Sequence, residues 1–191
     1  MPKGTSATRM REWLAEGDLR SDGLAREVAR LVAGNPFMLA DLLEALFNGD
    51  DVVRGHAADA VERISRGKAQ LLGPSLGAFV SQAKSDPVPM VRWHLAMILG
   101  NLAADREHMP ICTRGLLGLL RDHSPFVKSW AISGLCQIGR GFPARRARIL
   151  SAIAPLANDP SIAVRHRAAM AVSLLMDPEL GMPSSWVKRK G

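Results

Sequence analysis

Histidines are the residues of this chain best suited to chemistry, but their spacing does not favour a metal site. His56 and His94 stand at equivalent positions of two consecutive, similar segments. Packed helices lie about 8–10 Å apart and histidine–zinc bonds are about 2 Å long, so these imidazoles would not converge on one ion. The sequence has no His-Glu-x-x-His motif, and Glu107-His108 is an isolated pair. We therefore predict no metal site and no cofactor.

Both histidines belong to a segment that occurs four times without gaps. The copies begin at Val53, Val91, Val127 and Val164. The base after each valine recurs at intervals of 38, 36 and 37 residues; these bases are Arg54, Arg92, Lys128 and Arg165. A fixed period of 20–50 residues is typical of stacked-repeat architectures. The fold is therefore expected to be a chain of similar units.

Each copy has the apolar spacing of a helix. Counting the valine as position 0, small or apolar residues stand at positions 0, 4, 7, 8 and 11, a helical stripe. A turn precedes each copy and carries Asn48, Asp86, Asp122 or Asp159. Asp50, Ser124 and Ser161 follow, where we predict helix N-caps. Because another amphipathic stretch precedes each turn, each repeat is predicted to be helix, turn, helix.

This pattern divides the chain into a cap, four hairpins and a tail. Residues 1–35 are predicted to form a helical cap, with helices over 9–16 and 22–32. The hairpins are predicted over 36–65, 66–103, 104–139 and 140–176, with first helices near 37–47, 74–83, 106–120 and 144–157. Residues 177–191 are predicted to be an irregular, frayed basic tail, with docking of Trp186 on the last hairpin as the alternative.

The period, the turn aspartates and the Val-Arg start of each second helix resemble HEAT repeats, which belong to the armadillo-like α-solenoids. The resemblance covers about three quarters of the chain. It implies an all-α, right-handed solenoid of four helical hairpins whose second helices line a concave, ligand-binding side. It also implies a structural ladder in which these bases pair with turn aspartates; its members are Arg54, Asp86, Arg92, Asp122, Lys128, Asp159 and Arg165.

A displayed face is predicted opposite the apolar stripe. Positions 2, 3, 6, 9 and 10 of each copy fall on that arc of the helix. We predict that the central partner contacts are Trp93, His94, Met97, Trp130, Arg167 and Met170. Tryptophan and methionine on a concave surface are typical of peptide and protein recognition. The alternative is that both indoles pack between neighbouring helices.

Positive charge is concentrated in the second half of the chain. The net charge is +7; residues 1–103 carry 12 Lys/Arg and 12 Asp/Glu, whereas residues 104–191 carry 13 and 6. A cluster of bases could bind anions: Arg140, Arg145, Arg146 and Arg148, joined by Arg165–Arg167 and Lys188–Lys190. Phosphate contacts of this kind would be salt-dependent. The alternative is a solvated surface, since Phe142 is the one aromatic ring in the cluster.

These observations favour a non-catalytic scaffold that binds a protein or peptide on the second helices. A nucleic-acid-binding module is the first alternative, and its site would be the basic half. A weaker alternative is a HEAT-like alkylpurine DNA glycosylase, which would need an acid beside the tryptophans. The acids predicted on the displayed arc, Asp59 and Glu62, belong to the first repeat, away from Trp93. We therefore predict no enzyme activity.

Cellular location is predicted from features that are missing from the sequence. The first residues have no apolar signal region, and no apolar run approaches the roughly eighteen residues of a spanning helix. Cys112 and Cys136 lack a paired motif and are expected to be reduced. We predict a cytoplasmic protein without membrane partners, and the sequence indicates no oligomeric state.

Overall fold

The computed structural model describes residues 6–187, and all regular structure in that range is helical. The helices are α1 (Ser6–Leu14), α2 (Ala25–Gly34), α3 (Leu39–Asn48), α4 (Asp51–Lys68), α5 (Leu76–Ser85), α6 (Pro89–Leu102), α7 (Met109–Leu119), α8 (Pro125–Gly141), α9 (Arg146–Ile153) and α10 (Ile162–Met176). The fold is an all-α helical repeat of the solenoid class, as the sequence predicts. Within the described range, no helix is long and apolar enough to cross a bilayer.

The helices pair into the four hairpins that the period predicts: α3–α4, α5–α6, α7–α8 and α9–α10. Three of the first helices, α3, α7 and α9, are shorter than predicted, whereas α5 has the predicted length but begins and ends two residues later. Short 3-10 turns over Pro36–Met38, Gly73–Ser75 and Pro143–Arg145 precede α3, α5 and α9. Helix α9 ends at Ile153 and continues as a 3-10 turn that contains Pro155. Proline has no amide hydrogen and its ring crowds the preceding turn, which ends the α-helical pattern there.

The chain forms two compact units, Met1–Leu72 and Gly73–Gly191. In the N-terminal unit α4 packs against α1, α2 and α3. Its buried core includes Met10, Leu14, Val28, Leu42, Leu46 and Val61. In the C-terminal unit the second helices α6, α8 and α10 lie side by side, and α5, α7 and α9 pack against them. Its core includes Phe79, Leu95, Leu99, Leu116, Leu135 and Ile149, and Cys112 and Cys136 are buried there.

The inter-helix turns are closed by aspartates, not by the predicted serine caps. The Asp122 and Asp159 carboxylates accept the amide hydrogens of Ser124 and Ser161 at 2.7 and 2.9 Å. Ser124 and Ser161 occupy the predicted N-cap positions, but neither side chain makes the predicted capping bond. Asp50 is the predicted cap that functions as one; it accepts from the Val53 amide at 3.0 Å. Each aspartate two residues upstream orients the turn, and the serine supplies the extended backbone.

Candidate functional site

Aromatic side chains line the second helices of the C-terminal unit. We call Trp93 on α6, Phe126 and Trp130 on α8, and Arg167 on α10 the aromatic row. Phe126 and Trp130 are four residues apart and therefore share one face of α8. The Trp93 and Phe126 ring centroids are 5.3 Å apart, with the planes tilted by 44°. The Arg167 guanidinium carbon lies 5.3 Å from the centroid of Trp130. The row thus spans three consecutive second helices.

One end of the row is open to solvent. The Phe126 ring is 64% exposed and Trp93 is half-buried beside it. Tilted aromatic pairs of this separation contribute about 0.5–1.5 kcal/mol beyond the area they bury. The sequence analysis did not select Phe126 because it precedes the third copy by one position. Extending the helical face of Trp130 by one turn upstream would have found it.

The other end of the row is covered. Arg167 lies between two indoles, with its guanidinium carbon 5.3 Å from Trp130 and 4.8 Å from Trp186. Its Nη1 also donates to Ser133 Oγ at 2.7 Å. Burial lowers the pKa of Arg167, but a guanidinium keeps its charge in proteins. A partly desolvated guanidinium between aromatic faces is a cation–π arrangement.

Trp186 belongs to the tail, which folds back onto α8 and α10. Its side chain is 5% exposed. The Gln137 side-chain amide donates to the Trp186 carbonyl at 3.0 Å, and the Cys136 and Met182 sulfurs are 3.9 Å apart. The tail through Val187 is therefore irregular but docked, not frayed. The predicted bases Lys188–Lys190 lie outside the described residues.

Two of the predicted partner contacts, His94 and Met97, have little surface exposed to solvent. Each is 7% exposed, whereas Trp130, Arg167 and Met170 are half-buried. Helices α6 and α8 approach closely where glycines face each other: a Cβ added at Gly100 would lie 3.1 Å from the Gly134 Cα. This close packing buries positions that a single helical wheel assigns to solvent. The surface open to a partner is consequently narrower than predicted.

The face of α4 that the sequence predicts to be exposed to solvent is covered in the structure. Gly55, His56, Asp59 and Glu62 are buried. The last residue of α1 and the loop that follows it surround His56 with carbonyl oxygens: Nδ1 lies 2.8 Å from Leu14 O, and Nε2 lies 3.0 and 3.1 Å from Asp18 O and Ser21 O. Asp59 accepts two hydrogen bonds from Arg63, both at 3.0 Å. The prediction of an acidic end on the displayed face is wrong, because the N-terminal segment covers it.

The bases at position 1 lie near the start of each second helix, beside the turn that precedes it. Arg92 donates to both carboxylate oxygens of Asp122 at 2.7 and 3.0 Å, and Lys128 Nζ pairs with Asp159 in the same way one repeat later. The arginines also reach the carbonyls of their own turns: Arg92 donates to Asp86 O and Arg165 to Asp159 O, both at 2.8 Å. Arg54 donates to Gly49 O and pairs with Asp51.

These pairs change the acidity of the turn aspartates. Burial alone would raise the pKa of Asp122, but the hydrogen bond from Arg92, the Ser124 amide and the nearby charges hold it below its ordinary value. The pKa of Asp159 is lowered in the same way against its burial, first by the hydrogen bond from Lys128. Both carboxylates are therefore ionised partners at neutral pH, and their bases are engaged within the fold.

The predicted basic cluster is only partly assembled. Arg140 closes the end of α10, donating to Leu174 O and Pro178 O at 2.9 Å each. Arg146 Nε reaches Gly139 O at 3.5 Å. Arg145 and Arg148 are exposed at the start of α9. The Arg165 side chain bonds to turn carbonyls and the Arg167 guanidinium lies against two indoles, so the bases within residues 6–187 do not form one continuous patch. Among residues 6–187, no group of three His, Cys, Asp or Glu side chains could hold a metal ion.

Comparison with solved structures places this fold among engineered helical repeats. Two engineered proteins from the Northeast Structural Genomics Consortium are similar to it, each with a TM-score of 0.61 over 90% of this chain; they are 20% and 18% identical, over 86% and 80% of their own lengths. A designed armadillo repeat protein in complex with the peptide (KR)4 has a TM-score of 0.57 and 18% identity, covering 88% of this chain and 81% of its own. No protein-family model and no curated protein sequence matches the chain. These likenesses show an armadillo-like helical-repeat fold.

Proposed function

We propose that this protein is a non-catalytic scaffold that binds a peptide, or an extended segment of a partner protein, along the aromatic row. The observation that carries the proposal is the exposed Phe126 ring against the half-buried Trp93 indole. Large aromatic side chains at the centre of a binding surface supply most of the affinity in typical interfaces. Their position on a rigid stack of helices provides a surface that needs no rearrangement to bind.

Charge indicates which peptide this surface would take. On α6, α8 and α10, positions 2, 3, 6, 9 and 10 include Arg167 and two histidines but no carboxylate. A segment with aromatic or apolar anchors and acidic flanks would complement it. The designed armadillo neighbour was solved with the basic peptide (KR)4. Because these positions of the present chain carry Arg167 and no carboxylate, we propose an acidic ligand for it, opposite in charge to (KR)4.

The finer assignment of the repeats is part of the same proposal. We propose the HEAT type within the armadillo-like fold, because an Arg or Lys near the start of the second helix joins the turn aspartate of the next repeat. Burial also raises the pKa of both thiols, to about 12 for Cys112 and about 11 for Cys136. Unreactive, reduced thiols suit the cytoplasmic location that we propose.

A peptide array followed by fluorescence anisotropy tests the function. Peptides selected on the full chain should lose at least tenfold in affinity for Phe126→Ala, since a central aromatic contact is worth about 2 kcal/mol or more. Ile162→Ala is the matched control, because Ile162 is 74% exposed on α10 but is not in the row. Affinity should fall far less between 50 and 200 mM salt than phosphate contacts would require, since Arg167 is the one guanidinium in the row. Equal affinity of Phe126→Ala and the wild type would show that the aromatic row does not contribute to peptide binding.

A nucleic-acid interface is the second candidate, and the exposure of Arg145 and Arg148 supports it. Arg106, also exposed, extends this area, since its guanidinium carbon lies 5.9 Å from the Phe142 ring. Binding of this kind would weaken by orders of magnitude over the same salt range. Loss of binding in Arg145→Ala/Arg148→Ala, with Phe126→Ala unaffected, would favour this candidate over the peptide scaffold.

A further inference from the structure

We infer that the covered end of the aromatic row is a binding site for a tryptophan-bearing acidic peptide segment, and that the chain's own tail is its resident occupant. The inference rests on the proposed function, because it names the ligand chemistry of the same surface. The external ligand would be a segment of a partner protein that replaces residues 177–187. The site consists of Trp130, Ser133, Gln137 and Arg167.

The Arg167 guanidinium is the centre of this site. Its central carbon lies over the Trp130 ring of α8 at 5.3 Å and over the Trp186 ring of the tail at 4.8 Å. The Ser133 hydroxyl orients it by accepting from Nη1. If the tail leaves, Trp130 and Ser133 still hold the guanidinium, and one aromatic-binding face becomes free. An indole from another chain would make the same cation–π contact.

The second element of recognition is a main-chain contact. The Gln137 side-chain amide donates to the Trp186 carbonyl at 3.0 Å. A carbonyl is common to every residue, so this bond positions the backbone of a ligand without selecting its sequence. Selectivity would come from the indole and from the Met182 side chain, whose sulfur contacts Cys136. The site therefore recognises an apolar side chain and a main-chain carbonyl, the two features by which extended peptide segments are bound.

Charge complementarity supports the same occupant. Residues 177–187 contain two acids, Asp177 and Glu179, and no base. Arg140 donates to the Pro178 carbonyl between them at 2.9 Å. Residues 177–187, which precede the bases at 188–190, thus combine two acids with one aromatic anchor, the character that we propose for the partner segment.

The tail is attached in a way that permits its replacement. Trp186 lies ten residues beyond the end of α10 at Met176. Leu180 and Val187 remain 43% and 41% exposed, so the segment is only partly embedded. A short tether gives an effective concentration in the millimolar range. A free peptide must compete with that concentration, so the tail also sets the threshold for binding.

The test uses a fluorescein-labelled peptide with the sequence of residues 177–187 and the full-length protein. Trp186→Ala should bind this peptide at least tenfold more tightly than the wild type, because the resident indole is gone. Adding Arg167→Ala to that variant should remove the gain, whereas adding Ile162→Ala should not. A peptide whose tryptophan is replaced by alanine should bind at least tenfold more weakly.

Three results would overturn the inference. One is equal affinity of the labelled peptide for the wild type and Trp186→Ala, and another is no binding to a folded Trp186→Ala chain. The third is a wild-type dimer that dissociates in Trp186→Ala, since the tail would then occupy the site of a second copy. Peptides from the array that still bind through Phe126 would show that the proposed function survives such a failure.

A measurement on the wild type covers the case in which Trp186→Ala does not fold. Chymotrypsin should cleave the tail near Leu180 or Trp186 slowly, and millimolar unlabelled peptide should raise that rate severalfold by displacing the tail. Mass spectrometry separates the protein products from those of the peptide. An unchanged cleavage rate would contradict replacement of the tail.

Discussion

The second helix α4 of the N-terminal unit and the pair α8–α10 of the C-terminal unit are both covered by a terminal segment of the chain, but by different chemistry. His56 on α4 is fully buried, and three carbonyl oxygens from the end of α1 and the α1–α2 loop surround its ring nitrogens. On α8 and α10 the tail is held by the Trp186–Arg167 contact and by the Gln137 amide. The difference suggests that the N-terminal cover is part of the core, whereas the tail can be replaced.

The backbones of the two covering segments also differ in how tightly they are constrained by their neighbours. The α1–α2 loop has glycines with positive φ, Gly17 at 91° and Gly23 at 45°. A Cβ at Gly23 would lie 2.5 Å from Glu16 O and 2.9 Å from the His56 ring. The loop is therefore committed to one conformation in which only glycine fits. In the tail, a Cβ at Gly181 would meet no atom within 4 Å.

The largest effect is expected for His56→Ala. It removes the buried partner of the Leu14, Asp18 and Ser21 carbonyls and leaves a cavity, which should lower the free energy of unfolding by about 3 kcal/mol. Urea unfolding followed by circular dichroism measures this change. His123→Ala, at an exposed histidine, is the control and should leave stability near the wild-type value. A loss below about 1 kcal/mol for His56→Ala would mean that the cap is not part of the core.

A smaller effect is expected for Trp186→Ala, about 1–2 kcal/mol, because the released tail and Gln137 can be solvated by water. The same urea titration gives the value. Val187→Ala is the neighbouring control, since Val187 is partly exposed. A loss of stability as large as that of His56→Ala would show that the tail is as much a part of the core as the N-terminal segment is.

The Asp122→Asn variant asks whether the turns, independently of the tail, hold the C-terminal hairpins together. The change should cost about 1 kcal/mol at neutral pH by weakening the partly buried pair with Arg92. Because the native pKa of Asp122 lies below its ordinary value, this stabilisation is present above about pH 4 and is lost as pH falls through the native pKa.

Unfolding titrations from pH 7 to pH 2 measure this contribution. The wild type should lose more stability on acidification than Asp122→Asn does. Glu107→Gln, at an exposed glutamate, is the control and should keep the wild-type slope. Parallel pH curves for the wild type and Asp122→Asn would exclude the contribution of the pair.

The smallest effect on stability is expected for Phe126→Ala, within about 0.5 kcal/mol of the wild type, because the ring is 64% exposed. Thermal unfolding measures this directly. Such a result, together with the loss of peptide binding proposed above, would separate the open end of the row from the covered end. A loss above 1.5 kcal/mol would place the ring in the packing of α6 against α8.

Sequence periodicity predicted most of the helical framework, and its errors have physical causes. The apolar stripe placed α4, α6, α8 and α10, since each buries the positions it predicts, except that Val172 on α10 is half-buried. Pro155 shortened α9 by replacing its last turn with a 3-10 turn. Ser124 stands at the N-cap of α8, but the carboxylate of Asp122 makes the hydrogen bond that closes the turn, and the serine side chain does not. Phe126 escaped the analysis because it precedes the repeat that defined the positions.

Local spacing by itself determined that this chain forms helical hairpins, since the pattern of apolar residues along each helix requires no knowledge of its neighbours. Which face of each helix meets solvent was decided by tertiary structure. Facing glycines at Gly100 and Gly134 bring α6 and α8 close enough to bury His94. The α1–α2 loop covers α4, and the tail carries Trp186 onto Arg167. The His56 contact with Leu14 and the Gln137 contact with Trp186 join residues 42 and 49 positions apart, and periodicity along one helix contains no information about such contacts.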